Sequence, residues 1–198
     1  MLSVIISMII FAFVGAASPG PVNIIAISSS LSFGYRGTLA HITGASICYG
    51  LIVAVVGLGL NQLLLRYPQF NQGVKYLGAV FLLYMSYRIA VAKGAEKMQA
   101  SHHHAPSILQ GALSQGLNPK AWLVAMSGVS LFVSTQEAAP LYLMIFSVLS
   151  LVICFIGISL WALAGQLLRQ LLSEQRYQVI FNRLMGLLLS LSVVAMFV

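Results

Sequence analysis

Long apolar stretches, cut by short clusters of charge and turn residues, dominate the chain. Positions 1–35, 42–65 and 138–168 contain no charged side chain. Each stretch is longer than the ~20 apolar residues that carry a helix across a bilayer. The interruptions predict six spanning helices: about Leu2–Ser32, broken at Ser18-Pro19-Gly20-Pro21; Thr38–Leu60; Gly73–Ala92; Ser107–Val133, broken at Asn118-Pro119-Lys120; Pro140–Leu168; and Tyr177 to the C-terminus. A polar linker, residues 93–106, separates the third helix from the fourth. The expected fold is therefore all-α, a multi-pass membrane protein of one domain.

Composition narrows the class. Of 198 residues 60% are hydrophobic and 7% charged, against about 25% charged in a soluble domain. There is no Asp, and the three acids are Glu96, Glu137 and Glu174. A carboxylate-pair hydrolase and a carboxylate metal cage are excluded. The net charge of +7 would suggest nucleic acid in a soluble protein, but here the basic residues segregate by loop. Arg36, Arg88, Lys93, Lys97, Arg169, Arg176 and Arg183 fall on the loops after the odd helices, and Arg66 and Lys75 on the other side. The positive-inside rule places the first group, with linker 93–106, in the cytoplasm and both termini on the outer face of an inner-type membrane. Residues 1–35 also lack the basic start and short apolar core of a signal peptide.

The chain repeats itself weakly. Ala17-Ser-Pro-Gly-Pro-Val-Asn-Ile is echoed by Leu117-Asn-Pro-Lys-Ala-Trp-Leu, with Pro19 against Pro119. Val55-Val-Gly-Leu-Gly-Leu60 is echoed by Phe155-Ile-Gly-Ile-Ser-Leu160, and Phe70-Asn71 before Gly78 by Phe181-Asn182 before Gly186. The order is kept across 1–92 and 107–198. Three helices per half is an odd number, so the second half enters the membrane inverted. A 3+3 inverted repeat with paired broken helices is an architecture of secondary transporters, whose sites lie where the breaks meet.

A proline within a helix removes a donor and clashes with the preceding turn, yet suits the first residue of a new helix. Ser18–Pro21 and Asn118–Pro119 thus predict helices that end and restart at membrane depth. The N-terminus of a restarted helix favours an anion, and Lys120 adds a full positive charge midway along its span, where lysine is costly without a purpose. The expected guest is a carboxylate, bound by Ser18, Pro19, Gly20, Pro21, Asn118, Pro119 and Lys120. Ser18 and Asn23 would contact the amine or side chain, and Trp122 would shape the pocket.

Ser-Pro-Gly-Pro-Val-Asn-Ile in the first helix, Phe33-Gly34-Tyr35-Arg36-Gly37, Gly44, Lys75-Tyr-Leu-Gly78 with Tyr84, and Gly111 followed by Gly116-Leu-Asn-Pro-Lys120 resemble the lysine exporter (LysE/RhtB) family of amino-acid efflux transporters. Ala26-Ile-Ser-Ser29 and Trp161-Ala-Leu-Ala-Gly165 look most like the branch that exports cysteine and O-acetylserine. The resemblance spans nearly the whole chain. It implies export of an amino acid or derivative from the bacterial inner membrane, driven by the proton gradient. One departure matters: many members carry an acid directly after Pro-Gly-Pro, where this chain has Val22 and Asn23. Without an intramembrane acid, the proton carriers left are His41, expected near the cytoplasmic surface, Lys120, and the amine of the substrate.

A rival reading is a transmembrane thiol or electron carrier using Cys48 and Cys154, one in each half. A thiol relay needs its sulfurs adjacent and near the broken helices, whereas these lie in the second and fifth predicted helices without a neighbouring Pro. A passive channel would show polar faces along several helices, but polarity is concentrated at the two breaks. His102-His103-His104 lacks an adjacent acid or thiol and reads as solvated linker. Tyr49, Tyr84, Tyr87 and Trp161 suit either a substrate path or packing, and Gly44, Gly57, Gly59, Gly78 and Gly186 suit close helix contacts. Ser28, Ser29 and Ser30 either cap carbonyls or face a polar cavity. The expected partners are a small amino-acid-like substrate and membrane lipid, with a homo-oligomer left open. No nucleic acid, cofactor, metal site or catalytic residue is expected.

Overall fold

The computed structural model describes residues 2–60, 68–92, 104–171 and 174–194. Among these the regular elements are all helical: α1 (Leu2–Ala17), α2 (Pro21–Val55, continued by a π-helical turn, Val56–Leu60), α3 (Pro68–Ala90), α4 (Ile108–Gly116), α5 (Pro119–Phe132), α6 (Ala139–Leu171) and α7 (Gln175–Val194). Arg66, Lys93, Lys97, His102 and His103 lie outside the described residues, as do the side chain of Lys75 and the packing around Gly78.

The helix boundaries follow local chemistry. After Ala17 the chain meets two prolines, and Pro21 opens α2 behind an extended Gly20 (φ −171°, ψ 173°), as expected of proline at the first helical position. Gly34 then takes φ 76° and ψ 171°, so α2 is two helices joined at a sharp turn. That turn falls within Phe33–Gly37, where the first predicted helix gives way to the second. Ser107 and Gln110 form a reciprocal capping box at the start of α4. Asn118 caps α5, its side chain accepting from the Lys120 backbone N–H at 3.1 Å. The third helix begins at Pro68 rather than Gly73, again with proline in the first turn.

Packing joins α2 and α6 lengthwise, with α1 and α5 against them. The shared core contains Met8, Ile42, Val53, Ala125, Phe146 and Ile158. Phe11 meets Phe132 edge-on at 5.4 Å between centroids, and Phe132 meets Phe146 tilted at 5.9 Å. Helices α4 and α2 approach through two glycines: a Cβ on Gly44 would strike the Ile108 carbonyl, and one on Gly111 the His41 carbonyl. Helices α3 and α7 pack mainly on each other, through Leu82, Met85, Ile89, Leu189 and Val193. Gly57 and Gly186 also mark close contacts, against Leu143 and against Ser86 and Ala90. Gly59 does not: a Cβ there would meet no described residue within 4 Å, and what it supplies is a positive φ of 103°.

Large apolar side chains cover the exterior, among them Leu51, Leu58, Leu77, Val80, Met144, Val148 and Leu187. Pro21–Gly59 and Ala139–Arg169 are long and apolar enough to cross a membrane. No acid lies in any of the seven described helices. Such an exterior matches hydrocarbon, which requires every backbone polar group to find its partner within the protein.

Candidate functional site

The two breaks meet. Gly20, Val22 and Asn23 from the first, and Asn118, Lys120 and Ala121 from the second, line one cavity of ≈ 400 Å³ that is partly open to the surface. Tyr49, Gln115, Val124, Cys154 and Ile158 complete most of its wall.

Hydrogen-bond accounting explains how the first break survives at this depth. A helix end leaves its last carbonyls without partners; here they are those of Gly15, Ala16 and Ala17, followed by Ser18 and Pro19 in the break. Ser18 Oγ donates to the Gly15 carbonyl at 3.0 Å. Asn23 Nδ2 donates to the carbonyls of Ala16 and Ser18, both at 2.9 Å. Trp161 Nε1, on α6, donates to the Ala17 carbonyl at 3.0 Å. Lys120 Nζ reaches across from α5 and donates to the Ser18 carbonyl at 2.8 Å, to Ser18 Oγ at 2.7 Å and to the Pro19 carbonyl at 3.3 Å. All five carbonyls from Gly15 to Pro19 therefore receive a side-chain donor, and the ammonium stands at the negative end of the α1 dipole. At the second break Trp122 Nε1 donates to the Gly116 carbonyl at 2.7 Å.

The two restarted helices differ at their N-termini. Asn118 Oδ1 occupies the start of α5, whereas no side chain caps α2. Gly20, the residue before α2, faces Lys120: a Cβ there would stand 3.5 Å from Nζ. The helix start without a side-chain cap is thus that of α2, beside the ammonium.

Several expected site residues take other positions. Gly20, Asn23, Asn118 and Lys120 line the cavity; Ser18, Pro19, Pro21, Pro119 and Trp122 do not. Pro19 is exposed, and Pro21 and Pro119 shape the backbone. Ser18 is committed to Gly15 and Lys120, and Asn23 has spent both amide protons on the Ala16 and Ser18 carbonyls. Trp122 and Trp161 each hold the end of a half-helix, while Tyr84 and Tyr87 lie exposed on α3. Of the tyrosines suited to either a substrate path or packing, Tyr49 lines the cavity, which also takes in Gln115 and Cys154, residues the sequence did not place there.

Two expectations are corrected. His41 is fully buried, not interfacial: its Nε2 lies 3.2 Å from the Val22 carbonyl and its Nδ1 has no described partner. The turn at Gly34 folds the second half of α2 back against the first and so buries the imidazole. Nor are the cysteines remote from the breaks. Cys154 lines the cavity, 3.8 Å from Gln115 Nε2, and a methyl group at Gly116 would stand 3.4 Å from Cys48 Sγ. Both thiols thus abut the last turn of α4, and both are free.

Described residues that are all helical, an apolar exterior and two proline-broken helices whose ends line one cavity suit a membrane transporter. The model for the LysE type translocator family matches residues 13–198, and the chain belongs to that family. It is similar to the cysteine/O-acetylserine efflux proteins of Escherichia coli strain K12 and of Shigella sonnei, each 30% identical over 189 residues, 94% of either chain. The protein of that name from Klebsiella pneumoniae is 28% identical over 170 residues, 85% of either chain. No solved structure gives a significant match.

Proposed function

We propose that this chain exports a small neutral amino acid or derivative, of the cysteine and O-acetylserine kind, across the bacterial inner membrane. It would do so by alternating access of two inverted three-helix halves, with both termini outside, and is no enzyme. The observation that carries this reading is the convergence of both breaks, with Lys120, on one cavity. The cargo carboxylate docks at the uncapped start of α2 beside the Lys120 ammonium. Its amine meets Asn23 Oδ1, and Tyr49, Gln115 and Cys154 surround the side chain.

Proton-driven exchange is part of the proposal. The helices hold no acid, which leaves His41, Lys120 and the cargo amine to take up a proton. The free Nδ1 of His41, behind the first turn of α2, favours His41. In vesicles, His41→Gln should keep some downhill efflux yet lose its response to an imposed pH gradient.

The primary test is efflux from cells loaded with labelled cysteine or O-acetylserine. Lys120→Met should insert normally and lose at least about tenfold of the efflux rate, as expected when a charged hydrogen-bond donor is removed. Cys48→Ala separates the rival: a two-thiol electron carrier stops without it, whereas export continues. No efflux from the intact protein, together with a Cys48-dependent change in external thiols, would replace this reading with the carrier.

A further inference from the structure

A second cavity, ≈ 440 Å³ and also partly open to the surface, lies between the first half of α2, the end of α3 and the start of α4. Arg88, His104, Gln110, Ser28, Ser29 and Ser32 supply its polar wall. It shares α2 with the cavity at the breaks: Val22 and Asn23 face one, and Ser28, Ser29 and Ser32 the other. Ser29 is six positions on from Asn23, about 9 Å along a helix.

The polarity of this wall is divided. Arg88 makes no ion pair or hydrogen bond with a described residue, so its planar set of donors is unspent in a protein almost without acids. The serines are the reverse. Thr38 Oγ1 donates to the Gly34 carbonyl at 3.0 Å, so its only proton is used, and in the 3.0 Å contact with Ser29 it is Ser29 that donates. Ser28 donates to Asn182 Oδ1 at 2.8 Å. Both hydroxyls therefore have lone pairs to offer and no proton. Ser32, only 4% exposed, lines the cavity without a described hydrogen-bond partner. Arg88 can only donate, to an anion; the Ser28 and Ser29 oxygens accept, from a cation.

We infer that this cavity is a second binding site, a loading site for a zwitterionic α-amino acid, with the carboxylate on Arg88 and the ammonium on the Ser28, Ser29 and Ser32 oxygens. It rests on the exporter reading and on the orientation that puts Arg88 at the cytoplasmic end. Cargo waits here one helix face away from the breaks. A guanidinium suits the task because it pairs with a carboxylate through two parallel hydrogen bonds.

The test uses everted membrane vesicles containing the full chain, where export is read as uptake, with O-acetyl-L-serine and its carboxamide as probes. Arg88→Gln should raise KM for O-acetylserine about tenfold, as loss of one charged hydrogen-bonding partner does. Vmax should fall far less, unlike in Lys120→Met. KM for the carboxamide, which has no carboxylate to lose, should not change, and Arg88→Lys should recover part of the loss. Equal effects on acid and amide, or none on either, would overturn the inference. So would a KM defect present only in proteoliposomes containing phosphatidylethanolamine, since the cavity would then hold a lipid headgroup. If the intact chain moves neither probe, it is the exporter reading that fails.

Discussion

Lys120 could be singled out from the sequence because a lysine midway along an apolar span is anomalous by itself. Its partners could not. The Ser18 carbonyl lies 102 residues away and the Trp161–Ala17 pair spans 144, and nothing local in an apolar chain marks such a meeting. Freed N–H groups are legible at a proline, whereas the carbonyls left behind are not, so nothing local shows that the Asn23 amide and the Trp122 indole donate to the backbone. Trp161→Phe tests this division of labour. The ring stays and one hydrogen bond to the Ala17 carbonyl goes, which should cost about 1 kcal/mol. Thermal melting in detergent would register it as a lowered midpoint.

Helix limits were legible because proline, glycine and capping residues act locally. Pro21, Pro119, Ser107 and Asn118 all stand where their chemistry puts them, and the polar turn at Phe33–Gly37 divides α2 as expected. What the pattern could not convey is how closely helices approach, which depends on which glycines face a neighbour's backbone. Gly34→Ala should destabilise by roughly 1–3 kcal/mol, because φ 76° with ψ 171° is open almost only to glycine. Gly111→Leu is a different failure, in which the added side chain meets the His41 carbonyl. It should lower the melting point further and reduce the amount of folded protein recovered. If the Gly111 variant melts like the parent, α4 is not seated against α2 as described.

At the scale of the molecule, α3 and α7 form a pair that touches the rest lightly. Ser86 Oγ joins it internally, at 2.7 Å from the Gly186 carbonyl and 2.6 Å from Ser190 Oγ. Ser28 and Asn182 make one of its ties to α2. Arg88 travels with this pair while the serines belong to α2, so any swing of the pair changes the width of the second cavity. A disulfide between cysteines introduced on α2 and α3 at that rim should slow loading from the cytoplasmic side. It should leave binding to the open outer side intact, as labelled-ligand binding from each face would report.

The grip of Lys120 on Ser18 and Pro19 has a consequence for affinity. The ammonium has three oxygen partners, all from the other break. On the proposed function, an arriving carboxylate would compete for a charge already in use, and each contact it gained would displace an internal one. Occupancy would then be a partner swap of small net energy, weak enough for release on the far side, and would loosen the bond that ties the two breaks together.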